Sequence, residues 1–197
     1  MWFRKKENFN LQEVIDGCLK EKAKSQRLMV EQFYAMARRT CLRYAQSMEE
    51  AEEIADDGFV KMFSSLGNFD RSKAFEPWLT TIMVRTAIDY FRRRQNILPV
   101  SELDETIHMS EEGSSIDLLS AQEMMSLIQQ LPPVYRLVFN LYTIEGYDHN
   151  EIAEQLGITA STSRANLAKA RSKLQLWVKQ LTDYHHQNSG KHVFAAF

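Results

Sequence analysis

The stretch LPPVYRLVFNLYTIEGYDHNEIAEQLGITASTSRANLAKARSKL, residues 131–174, carries the strongest structural signals in the chain. Asp148 is placed to cap a short helix, and Glu151, three residues later, completes a capping box. Gly157 then allows the left-handed conformation through which a helix reverses, because glycine adopts it at little cost. Thr159 is placed to cap the next helix. These signals predict a helix, a short helix, a tight turn and a final helix, which is the order of a helix-turn-helix.

The final helix is predicted to have two different faces. Leu167, Ala170 and Leu174 recur at helical spacing and predict a core stripe. The opposite face carries small, polar and basic residues near the helix start, where a helix in the major groove meets base edges and phosphates. We therefore predict that this face binds DNA through Ser161, Thr162, Arg164, Ala165, Ala168, Lys169 and Arg171. The alternative is a small helical hairpin with a solvated basic face.

Composition favours two small cores over one large one. The 197 residues are 44% hydrophobic and 25% charged, and strand-like alternation is absent, so an all-α fold is predicted. Residues 96–122 interrupt the helical pattern and contain acidic residues but no Lys or Arg, which indicates a flexible linker. The expected order is a helical domain at 1–95, an acidic linker at 96–122, a helix-turn-helix domain at 123–182 and a disordered tail at 183–197.

Several classes of protein are not expected. The chain has no apolar run long enough to span a bilayer and no signal-peptide core at Met1, so a cytoplasmic location is predicted. Cys18 and Cys41 are expected to be reduced packing residues, and His185 and His186 lack the partners of a metal site. We find no nucleophile with a base, no phosphate loop and no metal-ligand cluster. Accordingly, no enzyme, cofactor or small-molecule substrate is predicted.

The first domain is predicted to contain four helices, of which the first is capped by Asn10 and the second runs from about Arg27 to Ala45. The third, from Glu49 to about Leu66, has an acidic outer face and a core stripe of Ala51, Ile54, Ala55, Phe59, Met62 and Phe63. The fourth carries aromatic and basic residues, follows the loop at 67–74 and ends in three arginines at 92–94. Rings beside arginines suit single-stranded bases, which stack on aromatic side chains while cations follow the backbone. Taken alone, however, the rings are more typical of a core, and the arginines are equally typical of a helix C-terminus.

The order of these segments resembles the sigma-70 family of transcription initiation factors, in its minimal extracytoplasmic-function type. The segments are CLRY, AEEIADDGFVKMFSSLGNFD, FEPWLTTIMVRTAIDYFRRR, the linker, LPPVYRLVF and EGYDHNEIAEQLGI. This resemblance implies a promoter-specific initiation factor that binds core RNA polymerase and promoter DNA and assists melting. A stand-alone helix-turn-helix regulator is the alternative, but it leaves the basic fourth helix and the acidic linker without roles.

The resemblance also implies functions for particular residues. The third helix would dock on the β′ coiled coil of polymerase through Glu53, Asp56, Asp57, Phe59 and Val60. The loop before the fourth helix, with that helix, would recognise the minus-ten element through Asn68, Phe69, Asp70, Arg71, Lys73, Arg85, Asp89, Arg92 and Arg93. The second domain would bind the minus-thirty-five element and rest on the β flap, and the linker would thread the RNA exit path. An anti-sigma factor, often membrane-bound in this family, is an expected partner.

Two features depart from the family pattern. Ser163 and Asn166 stand where the family commonly has an apolar residue and often a basic one, so the packing or base preference of the recognition helix is expected to differ. Thr80 and Thr81 replace a pair of melting aromatics, which implies modest melting and a stringent promoter. The net charge of −2 averages two basic regions and an acidic linker, and it predicts weak DNA binding without polymerase.

Overall fold

The computed structural model describes residues 9–95 and 120–189, and within these ranges it contains helices and no strand. The helices are α1 (Leu11–Leu19), α2 (Ala23–Leu42), α3 (Met48–Ser65), α4 (Phe75–Gln95), α5 (Ala121–Gln130), α6 (Pro133–Thr143), α7 (His149–Leu156) and α8 (Ala160–Ser189), with a short 3-10 helix at Leu66–Asn68. The predicted all-α class is confirmed. In the part of the chain that is described, no helix is long and apolar enough to cross a membrane.

The chain divides into two compact units, and the division falls after Tyr90, inside α4. In the first unit, α1, α2, α3 and the first part of α4 surround one apolar core. Its fully buried side chains include Ile15, Met29, Ile54, Met62 and Leu79. The predicted cap at Asn10 is present, since its side chain accepts hydrogen bonds from the backbone N–H groups of Gln12 and Glu13.

Both cysteines belong to this core. Cys18 and Cys41 are buried and free, as predicted for packing residues. The Cys41 sulfur lies 3.9 Å from the sulfur of Met83, which joins α2 to α4. Burial raises the pKa of the Cys41 thiol to about 12, so the group stays protonated and apolar in character at neutral pH.

Gly17 sets the distance between α1 and α2. A Cβ at this position would lie 1.9 Å from the Oγ atom of Ser25 and 2.6 Å from its Cβ. Real Cβ atoms do not approach that closely, so only glycine permits this separation of the two helices. The position of α1 on the domain therefore depends on the missing side chain at residue 17.

The second unit packs α5 and α6 against α8, with α7 completing the helix-turn-helix. One cluster of its core joins α5 to α8 through Leu127, Ile128, Leu131, Ala170, Leu174 and Val178. Arg136 is buried in α6 and donates to the carbonyl oxygen of Leu131 at 3.1 Å, at the end of α5. This bond satisfies one of the carbonyls that every helix leaves open at its C-terminus.

The start of α5 and the end of α8 differ from the predicted end of the linker and the predicted start of the tail. The linker was expected to extend to residue 122, but α5 begins at Ala121 because Ser120 and Glu123 form a capping box. The tail was expected to begin at residue 183, but α8 continues to Ser189, since no Gly or Pro occurs between Gly157 and Gly190. The rest of the predicted linker, 96–119, and of the tail, 190–197, lies outside the described residues.

The close approach at Gly17 generates a stability prediction. Gly17→Ala should destabilise the first unit by about 1–3 kcal/mol, because the new methyl group forces α1 away from Ser25. Gly67→Ala is the matched control, since its Cβ would meet only an ordinary contact at 3.9 Å and should change stability by less than about 1 kcal/mol. Hydrogen exchange of amides in α1 and α2 measures both effects, and equal protection in the two variants would contradict the prediction.

Candidate nucleic-acid interfaces

The turn between α7 and α8 has the geometry that the sequence predicts. The Asp148 Oδ1 atom accepts hydrogen bonds from the backbone N–H groups of Asn150 and Glu151 at 2.7 and 2.9 Å. In return, the Glu151 carboxylate accepts from the N–H group of Asp148 at 2.8 Å, which completes the capping box. Gly157 has φ +67° and ψ 32°, the left-handed conformation that ends α7. The capping box and the turn glycine are therefore confirmed.

Thr159 immediately precedes α8. Its hydroxyl accepts a hydrogen bond of 3.0 Å from the N–H group of Thr162, so it caps the helix as predicted. The two threonine hydroxyls also lie 2.8 Å apart. The predicted core stripe is present, because Leu167, Ala170 and Leu174 are all buried. One face of α8 is thereby fixed against the unit, and the other is directed away from it.

The predicted DNA-binding residues of α8 lie on the open face. They fall into an exposed group, Ser161, Thr162, Arg164, Ala165 and Arg171, and a half-buried pair, Ala168 and Lys169. The exposed group begins in the first turn, where the N–H groups of a helix also suit phosphates. Small residues flanked by cations form this surface, a composition suited to a helix that lies in the major groove between the phosphate backbones.

Ser163 has a structural role that explains its departure from the family pattern. The residue is 0% exposed, and its Oγ atom lies 2.9 Å from Nδ1 of His149, the first residue of α7. A buried hydroxyl requires a hydrogen-bond partner, and this bond supplies one across the two helices of the motif. A polar link thus replaces the apolar contact expected at this position.

His149 also belongs to a stack that the sequence analysis missed. Its ring lies 4.6 Å from the ring of Tyr142, with an interplanar angle of 21°. The Arg171 guanidinium lies 5.5 Å from the centre of the same tyrosine ring, within cation–π distance. This stack orients one cation of the predicted DNA-binding face. The sequence offers one signal for a polar contact here, because Ser163 is a polar residue on the buried face of an amphipathic helix.

In the first unit, the loop before α4 is held by its own hydrogen bonds. The Asp70 Oδ1 atom accepts from the Ser72 N–H group at 3.0 Å and from its hydroxyl at 2.7 Å. The hydrogen bond from the Ser72 hydroxyl, and to a smaller extent the one from its N–H group, lower the pKa of Asp70 below its usual value. Lys73 donates its backbone N–H to the carbonyl of Asp70 at 3.0 Å. Asn68, Asp70, Arg71 and Lys73 are all exposed.

Phe69 is not part of this exposed surface, which corrects its assignment to the minus-ten contacts. It is 8% exposed, and its ring centre lies 5.3 Å from that of Phe75 and 4.9 Å from that of Trp78. Because the side chain is buried and contacts two other rings, it is not available to stack with a base in this conformation. For Phe75 and Trp78 the core interpretation likewise fits, since the first is buried and the second packs on the core.

The remaining residues predicted at the minus-ten surface are exposed on α4, namely Arg85, Asp89, Arg92 and Arg93. Two of the residues predicted at this surface, one on α4 and one in the loop, lie in ion pairs with other helices of the unit. The Asp89 carboxylate lies 2.7 Å from the ammonium group of Lys61 on α3. The Arg71 guanidinium lies 2.6 Å from the carboxylate of Asp16 on α1. One ion pair therefore lies on α4, among its exposed arginines, and the other holds the Arg71 side chain of the loop.

Only some of the polymerase-binding residues predicted on α3 are exposed on the surface of the unit. Glu53 and Asp56 are exposed, Asp57 is half-buried and Val60 is 66% exposed. Phe59 is buried at 4% exposure and stacks on Tyr34, which confirms its predicted place in the core stripe of α3 and corrects its assignment to the polymerase contacts. It follows Ala55 by four residues and so shares the inward face of the helix. The Glu53 carboxylate accepts a 2.9 Å hydrogen bond from Tyr90 on α4.

Two family models match this chain. Sigma-70 region 2 matches residues 29–97, and Sigma-70, region 4 matches residues 121–174, so together they account for well over half of the sequence. A solved structure of the sigma factor RpoE in complex with the anti-sigma factor NepR from Bartonella quintana is 20% identical. That match covers 80% of this chain and 98% of that one, with a TM-score of 0.46.

Similar sequences are also found among characterised bacterial proteins. The ECF RNA polymerase sigma factor SigW of Bacillus subtilis (strain 168) is 29% identical over 73% of this chain and 81% of its own. The RNA polymerase sigma factor SigV of the same organism is 28% identical over 77% and 86%. The chain thus belongs to the sigma-70 family of transcription initiation factors, which direct RNA polymerase to specific promoters, and within it to the extracytoplasmic-function type.

Proposed function

We propose that the two units of this sigma factor recognise the two promoter elements separately. The predicted helix-turn-helix domain at 123–182, in the second unit, binds the minus-thirty-five element through α8. The predicted domain at 1–95, which comprises the first unit and the rest of α4, binds the minus-ten element through α4 and its preceding loop. The observation that carries this proposal is the open face of α8, which a capped helix, a left-handed glycine and a buried leucine stripe hold outward.

At the minus-thirty-five element, small residues allow close approach and cations supply contacts. Ser161 and Ala165 bring the helix backbone near the base edges. Arg164 is exposed one turn into the helix, within reach of a guanine edge or a phosphate. Arg171, held over Tyr142, lies two turns further along, where a phosphate contact suits its fixed position.

At the minus-ten element, the structure favours recognition by polar groups rather than by stacking on Phe69. Extruding a base costs a few kcal/mol, which a pocket with matching hydrogen bonds offsets. Asn68 offers both a donor and an acceptor, and Arg71 offers a planar fork of donors. The arginines of α4 suit the adjacent phosphates. The buried rings serve to hold the loop in place.

Core polymerase would bind the acidic face of α3 at its β′ coiled coil, with the exposed Val60 as the apolar centre among carboxylates. The β flap would support the second unit. The linker assignment to the RNA exit path stays a prediction, as does an anti-sigma partner, membrane-bound or not. We further propose that the protein acts in the cytoplasm, where polymerase and promoter DNA are found.

Polymerase is expected to supply most of the promoter affinity. The net charge of −2 gives little general attraction to phosphates. When both units are held on one enzyme, binding of the first element raises the effective concentration of the second. Promoter binding should therefore depend strongly on the core enzyme.

Reconstitution tests the proposed function. With purified core polymerase lacking other sigma factors, the protein should produce new promoter-specific run-off transcripts. Mobility shifts should show tight specific binding only when core is present. Tight, equal binding without polymerase, and no new transcript with it, would instead indicate a stand-alone regulator.

Single substitutions test the minus-thirty-five contacts. Arg164→Ala or Lys169→Ala should each cost about 1–3 kcal/mol of promoter binding if the side chain contacts a base edge, with altered preference at one upstream position. Lys179→Ala removes the same charge further along the exposed side of α8 and is the matched control. Leu167→Ala should act through stability, by about 2–5 kcal/mol. If Arg164→Ala and Lys169→Ala both bind the promoter as tightly as the unsubstituted protein, the proposal that α8 lies in the major groove is wrong.

The polymerase surface can be tested without DNA. Asp56→Ala and Val60→Ala should each weaken binding of the chain to core polymerase by more than about 1 kcal/mol, as expected for residues at the centre of an interface. Glu31→Ala, an exposed acidic residue on α2, is the control. Titration of labelled protein with core measures the three affinities, and a loss equal in all three would refute a specific surface on α3.

A further inference from the structure

We propose that Asp16 on α1 is a positioning residue for Arg71, and that α1 thereby contributes to minus-ten specificity. This inference rests on the proposed function, in which Arg71 contacts the promoter. Helix α1 precedes residue 29, where the match to Sigma-70 region 2 begins. Neither the family match nor the resemblance assigns a role to Asp16.

The pair joins two distant parts of the first unit. The Nη2 atom of Arg71 lies 2.6 Å from Oδ1 of Asp16, although the residues are 55 positions apart in sequence. Both side chains remain partly open to solvent, with exposures of 42% for Arg71 and 54% for Asp16. The arginine is therefore accessible to DNA while it is held.

The carboxylate is attached to a well-fixed backbone. Asp16 lies between Ile15, which is fully buried, and Gly17, whose close approach to Ser25 sets α1 against α2. The Asp16 side chain thus projects from a helix whose position is fixed by the burial of Ile15 and by the close contact at Gly17. A rigid acceptor of this kind can define where a guanidinium lies.

The loop backbone is fixed as well, so the freedom that remains to Arg71 lies in its side chain. Phe69 is anchored among rings two residues earlier, and the Asp70 carboxylate accepts two hydrogen bonds from Ser72. Because the backbone on this side is held, the bond to Asp16 orders the remaining side-chain rotations of Arg71. Ordering a long side chain before binding removes part of the entropy cost of forming the complex.

The same bond limits binding to the wrong DNA. A guanidinium has five N–H donors, and the bond to Asp16 uses one of its nitrogens, which leaves donors for an acceptor on the promoter. The carboxylate also offsets the positive charge that would otherwise attract any phosphate. Asp16 should therefore raise selectivity and lower non-specific affinity together. An exposed pair of this kind contributes little to stability, so the two effects can be measured without unfolding.

The test uses holoenzyme assembled from the full-length chain and core polymerase. The probe is a duplex library that carries a randomised minus-ten element. Sequencing of the bound fraction gives the discrimination at each position, and titration of a non-promoter duplex over a salt series gives the salt slope. Asp16→Asn should lower discrimination at one position by about two- to tenfold and steepen the slope by about 1. Asp16→Glu, which keeps the carboxylate, should restore most of the discrimination.

Three comparisons separate the possible outcomes. Glu13→Gln removes the same charge from an exposed site on α1 and should change neither readout. Arg71→Ala should lose the discrimination, and Asp16→Asn should have no further effect in that background. If Asp16→Asn behaves as Glu13→Gln does while Arg71→Ala loses discrimination, the inference is wrong and the proposed function stands. If Arg71→Ala changes nothing, the assignment of Arg71 to the promoter fails, and the role of Asp16 fails with it.

Discussion

Side-chain caps at helix starts are the interactions on which both units depend. Short helices leave several N–H groups of the first turn without partners, and a small unit has little core with which to offset that cost. Asn10, Ser47, Ser120, Asp148 and Thr159 each accept at such an end. Because a cap also fixes the residue at which a helix begins, it decides which side chains of that helix are directed outward. The open face of α8 follows from the caps at Asp148 and Thr159 together with the turn at Gly157.

In the loop before α4, contacts between aromatic rings fix the position of the backbone. Phe69, Phe75 and Trp78 contact one another over 4.9–5.4 Å between ring centres, and they tie the loop to the helix that follows. Polar groups of the loop are thereby presented on a backbone that does not have to be ordered on binding. Recognition that relies on hydrogen bonds benefits from such rigidity, because its geometry is narrower than that of stacking.

Local signals in the sequence predicted the fold well. The caps at Asn10, Asp148 and Thr159, the reversal at Gly157 and the stripe from Leu167 to Leu174 depend on residues a few positions apart, and all are present. The end of the linker was misjudged because the Ser120–Glu123 box was overlooked. The extent of α8 was misjudged because a polar helix without Gly or Pro resembles a tail. Phe69 was misplaced because a ring beside polar residues fits a core and a surface equally well, whereas helical spacing placed Phe59 correctly in the core and only the resemblance assigned it to a surface.

The candidate sites were less predictable, since their detail comes from pairs distant in sequence. Nothing local indicates that Arg71 meets Asp16 or that Ser163 meets His149. Only the packing of helices brings these groups together. Residue types therefore suggested where the surfaces lie, but not which of their side chains are held and by what.

The bonds between α3 and α4 have a consequence for how such a protein can change. Glu53 accepts from Tyr90 at 2.9 Å, and Lys61 lies 2.7 Å from Asp89. Each pair joins the helix assigned to the enzyme with the helix assigned to the promoter. On the proposed assignments, a substitution of Asp89 for a new target sequence would also change the surroundings of Lys61 on α3, and one of Glu53 would change those of Tyr90 on α4. Substitutions on one helix are therefore weakly coupled to side chains of the other.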